Sequence, residues 1–131
     1  MTDPVQQLAD SIDGMDVPGI RAAYAEGARL VAMTPNTFQV HDGPDAIAAK
    51  LGEWFASWGE DPRYSFIGVI RERDRAVLEF ERLNTYEGET WVSRQSHTLE
   101  LGPDGIVAHR MYCCGPRAGA GELAESLVAA R

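Results

Sequence analysis

The chain has 131 residues, 12 Lys+Arg against 20 Asp+Glu and two cysteines, for a formal charge of −8. That length fits one domain with a real core, and 24% charged with 44% hydrophobic residues is an ordinary globular composition. The acidic balance argues against nucleic acid as a partner, and no apolar run approaches the ~20 residues that span a bilayer. Met1 to Leu8 has no basic segment followed by an apolar one, so a cytoplasmic protein without a membrane partner is expected. Adjacent Cys113 and Cys114 suit neither a disulfide scaffold nor a zinc site, and no GxGxxG, P-loop or GxSxG motif occurs. Neither a metal nor a cofactor is expected.

Asp3-Pro4 signals a helix start, with Val5, Leu8 and Ile12 at helical spacing and Gly14 as the stop. Asp16 then caps a second helix, Val17 to Glu26, with Ile20, Ala23 and Tyr24 on one face. Ala28 to Met33 reads as a strand, broken by Pro35-Asn36, and Phe38 to Val40 as a second short one. His41-Asp42-Gly43-Pro44 opens a third helix, where Ile47, Leu51, Trp54, Phe55 and Trp58 recur at helical spacing and are expected in the core. The character then changes. Tyr64 to Glu72, Ala76 to Tyr86, Thr90 to Leu101 and Ile106 to Cys114 read as strands, separated by Asp74-Arg75, Glu87-Gly88 and Pro103-Asp104-Gly105. Residues 116–131 form a tail or short helix, with an Ala-rich helix expected over 122–130. Helices first and antiparallel strands afterwards give a single α+β domain over 1–131, helices covering one face of a meander.

Strand parity picks out a pocket. Leu78 and Phe80 alternate with Glu79 and Glu81, so the apolar pair faces inward and carries Arg82, Asn84 and Tyr86 with it. Leu99 and Leu101 likewise carry Trp91, Ser93, Gln95 and His97 inward. A two-residue turn at Glu87-Gly88 pairs Arg82 with Ser93 and Leu78 with His97, which makes the two parities agree. A three-residue turn at Pro103-Asp104-Gly105 pairs Gly102 with Ile106 and turns Val107, His109, Met111 and Cys113 inward. A four-residue loop would turn Ala108, Arg110 and Tyr112 inward instead. The outer face is expected to expose Glu79, Glu81 and Glu100 or to hold them at a subunit interface. So many inward polar groups need water or a ligand to satisfy them.

Several phrases then fall into a familiar order. Tyr24-Ala25-Glu26-Gly27-Ala28-Arg29-Leu30 precedes a Pro-containing turn, Gly43-Pro44-Asp45-Ala46-Ile47 opens the long helix, and Asp104-Gly105-Ile106-Val107 opens the last strand. Over roughly residues 4–115 the chain resembles the SnoaL-like polyketide cyclases and ketosteroid isomerase relatives of the nuclear transport factor 2-like superfamily. The resemblance implies a cone-shaped α+β barrel with a pocket at its wide end, and a homodimer through the outer sheet face. Relatives' carboxylates have no counterpart here: Leu30-Val31-Ala32-Met33 holds no acid, His97 stands where isomerases place an Asp, and a His-x-Asp phrase of the cyclases reads His109-Arg110-Met111.

Two functions follow. One is a cofactor-free isomerase, cyclase or dehydratase acting on a small hydrophobic oxygenated molecule. In it His97 is the acid/base and Arg82, Asn84 and Tyr86 stabilise an enolate. Trp91, Ser93, Gln95, His109 and Met111 complete the expected ligand site. The other is a non-catalytic binding or accessory protein with the same pocket. Each residue also has a plainer role: a satisfied core histidine for His97, an internal Glu partner for Arg82, rim positions for Asn84 and Tyr86. A homodimer is expected through Val77, Leu83, Val92 and Tyr112 on the outer face.

Overall fold

A computed structural model describes residues 3–56 and 59–118. Trp58 and the helix expected over 122–130 lie outside those residues. Helix α1 (Pro4–Asp13) begins where the Asp3 carboxylate accepts from the Val5 N–H at 3.1 Å, and Gly14 closes it. Helix α2 (Val17–Ala22) is capped by Asp16, which accepts from the Gly19 N–H at 3.0 Å. It ends four residues before the expected Glu26. Tyr24 instead opens strand β1 (Tyr24–Met33), because the Ala23 carbonyl accepts from the Ile106 N–H at 2.9 Å and Tyr24 pairs with Ile106. A long-range strand pairing here overrides local helical periodicity.

Strand β2 (Phe38–Asp42) returns along β1, and α3 (Pro44–Ala56) follows. The meander is β3 (Glu60–Glu72), β4 (Arg75–Tyr86), β5 (Glu89–Gly102) and β6 (Gly105–Cys113), with a short β7 (Arg117–Ala118) beside β5. The sheet order is β2-β1-β6-β5-β4-β3. Every neighbouring pair is antiparallel except β1–β6, which is parallel and joins the first strand to the last long one. The helices fill one face of this α+β cone. Leu8, Ile12, Ile20, Ile47, Leu51 and Phe55 meet Leu30, Leu78, Phe80, Leu99 and Ile106 in a core sealed from solvent. Among the described residues no helix is long and apolar enough to cross a membrane.

The β4–β5 hairpin has the expected register, with Tyr86 opposite Glu89, Arg82 opposite Ser93 and Leu78 opposite His97. Glu87 and Gly88 take φ of 50° and 78°, the positive pair that a tight hairpin turn requires. The β5–β6 pairs Leu99–His109 and His97–Met111 are also as expected, but by a different route. Gly102 pairs with Gly105, so the turn has two residues instead of three, and a bulge between Glu100 and Leu101 leaves Val107 unpaired. The bulge restores the register by one residue. Val107 is therefore 40% exposed, contrary to its expected inward position, and Ile106 is buried in its place.

Parity predicts the outer face less completely. Glu79 is exposed, but Glu81 is fully buried within the single chain. The Arg94 guanidinium, directly across the strand pair, holds one of its carboxylate oxygens. Leu83 and Val92, expected as an exposed stripe, are also buried.

Candidate functional site

A cavity of about 230 Å³ opens at one end of the cone, between the sheet, the end of α3 and the β1–β2 turn. Trp54, Phe55, Pro35 and Met111 give it apolar walls, and Arg82, Ser93 and Gln95 give it polar ones. Its rim is set by a close approach. Gly115 takes φ of 77°, and a Cβ there would lie 2.8 Å from Pro35 Cγ, so only glycine lets the segment after β6 close on the β1–β2 turn.

Arg82 sits on the wall with its guanidinium anchored: Nη2 donates to the Phe55 carbonyl at 2.7 Å, Nε to the Tyr64 hydroxyl at 3.3 Å and Nη1 to Asn84 Oδ1 at 3.5 Å. The bond to Phe55 ties the end of α3 to mid-sheet and holds the positive charge at the cavity. Asn84 is itself buried as part of this anchor.

Behind the wall lies a buried chain of polar groups. Gln95 Oε1 is 2.9 Å from His97 Nε2, His97 Nδ1 is 2.7 Å from His109 Nε2, and His109 Nδ1 is 2.7 Å from the Tyr24 hydroxyl. Phe80 stacks on His97 at 4.9 Å between ring centroids, and the Tyr24 ring stacks on His109 at 6.0 Å. Burial disfavours the charged imidazolium, so His97 falls to about 3 and His109 well below its ordinary value, the second helped by the neighbouring His97. Burial likewise pushes the Tyr24 phenol up. The chain is neutral from end to end.

This arrangement brings together Arg82, Ser93, Gln95 and Met111 among the residues singled out in the sequence. The other five, His97, Tyr86, Asn84, Trp91 and His109, do not line the cavity. His97 does not line the cavity with Arg82; it is fully buried one layer down, with Gln95 between it and the opening. Tyr86 shares the inward parity of Arg82 but is 41% exposed at the far end of β4, outside the cavity, edge-on to Trp91 at 6.0 Å. Trp91 is half-buried beside it and is no cavity wall. His109 faces inward as expected but also lies below the floor.

Sequence reasoning missed Trp54 as a wall, reading its helical spacing as core. It also missed Tyr24, whose phrase reads as helix, and the rim residues Thr34, Pro35, Gly115 and Pro116. The Pro-containing turn and Gly115-Pro116 were visible as breaks, but nothing local says that two breaks meet. Among the described residues no three metal-ligating side chains cluster.

A SnoaL-like domain matches residues 5–110. The chain belongs to the SnoaL-like family. Solved structures agree on the fold. A hypothetical protein with a ketosteroid isomerase-like fold from Catenulispora acidiphila, in complex with trimethylamine, superposes with a TM-score of 0.67 at 12% identity over 86% of this chain and 85% of its own. An NTF2-like protein of unknown function from Mesorhizobium loti gives 0.69 at 17% identity, over 86% and 88%. A Mycobacterium tuberculosis LEH-like epoxide hydrolase gives 0.62 at 13% identity, over 84% and 79%. A comparison with curated proteins gives no significant match. At these identities the structural likeness of this SnoaL-like chain is one of fold.

Proposed function

We propose that this SnoaL-like protein binds a small, mostly apolar molecule bearing an oxygen function, held in the cavity between Trp54 and Met111 with its polar end toward Arg82, Ser93 and Gln95. One observation carries the reading. Among the described residues no Asp or Glu lines the cavity, and the two inward histidines are neutral and shielded by Gln95. The wall offers hydrogen bonds, charge and apolar surface but no carboxylate or exposed imidazole to carry a proton.

Family membership and the Arg82–Gln95 pair favour a second reading, an isomerase or cyclase in which these donors stabilise an enolate. Native mass spectrometry and thermal shift against small oxygenated aromatics test both. Retention of one molecule per chain, lost in Ser93→Leu, is expected; absence of any binder overturns the binding reading, and turnover of a retained compound establishes the second. Two copies are further proposed to associate through the outer sheet face. What supports this is a row of apolar side chains, Phe38, Met33 and Tyr112, in register across β2, β1 and β6 and 66%, 48% and 47% exposed.

A further inference from the structure

The four ring nitrogens of His97 and His109 are all hydrogen-bonded, and two neutral rings carry only two N–H hydrogens between them. One hydrogen must sit in the 2.7 Å contact from His97 Nδ1 to His109 Nε2. The chain therefore has two self-consistent polarities. In the first, the Tyr24 hydroxyl donates to His109 Nδ1, His109 Nε2–H donates to His97 Nδ1, and His97 Nε2–H donates to Gln95 Oε1. In the second every bond reverses. The Tyr24 oxygen then accepts from His109, and its own hydrogen, on a side chain only 5% exposed, has no acceptor among the described residues. The first polarity leaves no such orphan.

The cavity end agrees. Burial pushes the Cys113 thiol up, while a hydrogen bond from the Gln95 side chain acts in the opposite sense. With its Oε1 on His97 Nε2 at 2.9 Å, the Gln95 amide turns its nitrogen away from the ring. Gln95 and Cys113 both line the cavity. The amide nitrogen carries two hydrogens.

We infer that the buried Tyr24–His109–His97 chain fixes the Gln95 amide with its N–H toward the cavity, so that the site selects ligands presenting a hydrogen-bond acceptor, such as a ketone oxygen, at that point. This inference rests on the binding reading above and names the ligand chemistry. Tyr24 touches neither cavity nor ligand; it is a positioning residue, acting through two rings.

The test has two independent arms on the whole chain. Long-range proton–nitrogen correlation spectra of nitrogen-15-labelled protein at neutral pH should show both His97 and His109 carrying hydrogen on Nε2; hydrogen on Nδ1 of either ring overturns the polarity. Binding of acetophenone and of ethylbenzene, nearly the same shape without the oxygen, is then compared by thermal shift and calorimetry. Wild type should prefer the ketone by roughly two- to tenfold, the worth of one net hydrogen bond. Gln95→Leu should abolish the preference. Gln95→Glu, which keeps an acceptor for His97 but turns an acceptor to the cavity, should abolish it as well, and it serves if the Leu variant fails to fold. Equal binding of both compounds by wild type overturns the selection and leaves the cavity a binding site. Binding of neither overturns the binding reading itself, and the ring spectra still decide the polarity.

Discussion

His97 and His109 owe their neutrality to burial, and that has a cost in acid. The unfolded chain returns His97 to an ordinary value near 6.5, against about 3 when folded. Between those values the unfolded state binds a proton that the folded state refuses. Stability is therefore full above about pH 6.5 and falls as pH drops toward 3, with His109 acting in the same direction. His97 contributes a slope of roughly one kcal/mol per pH unit in that window, and His109 adds to the loss in the same sense. Urea unfolding at a series of pH values should show this loss, and a flat profile would contradict the buried neutral pair. Tyr24→Phe removes the hydroxyl bonded to His109 Nδ1 and should cost about 1–3 kcal/mol in the same assay. At this scale the sequence showed direction but not depth. Alternation along β5 put Ser93, Gln95 and His97 on one face correctly. Which of them touches the cavity depends on where α3 covers that face, and Phe55, whose carbonyl holds Arg82, lies on another element. Tyr86 failed for the same reason: it has the right parity but stands beyond the end of the covered region.

Elements were legible where the signal was local. Asp3 and Asp16 as caps, Gly14 as a stop and Glu87-Gly88 as a turn all depend on a few adjacent residues. The end of α2 and the parallel β1–β6 pairing depend on partners far along the chain, so no window of sequence contains them, whereas the Val107 bulge sits within one hairpin and was hidden by the choice of turn length. Burial of Glu81 is of this kind too, since its parity marks a face but not what covers it. The rim gives a test at this scale. Gly115→Ala places a Cβ against Pro35 in a left-handed backbone and should destabilise the protein by roughly 1–2 kcal/mol. It should also weaken acetophenone binding, because the two rim segments must part. Unchanged melting and affinity would show that the contact does not shape the cavity.

For the whole molecule, the expected homodimer face changes its residues. Leu83 and Val92 are buried within one chain and offer little to a partner, whereas Phe38, Met33 and Tyr112 form the exposed row. Light scattering should give a dimer at micromolar concentration for wild type and a monomer for Phe38→Glu, with the fold retained in both; a wild-type monomer would remove the row's role. The seam between β1 and β6 also bears on how the molecule is made. Strands β3 to β6 are successive hairpins and close over short loops, but β1 must find β6 across most of the chain, and Tyr24 bonds a ring 85 residues away. Closing so long a loop is slow compared with hairpin formation. The Tyr24–His109 contact then forms with the slow docking of β1 on β6. Loss of its hydroxyl should slow folding with a fractional φ-value, and a weakened Glu87-Gly88 turn, already closed at that step, should slow folding with a φ-value nearer one; a φ-value of zero for the hydroxyl would contradict this order.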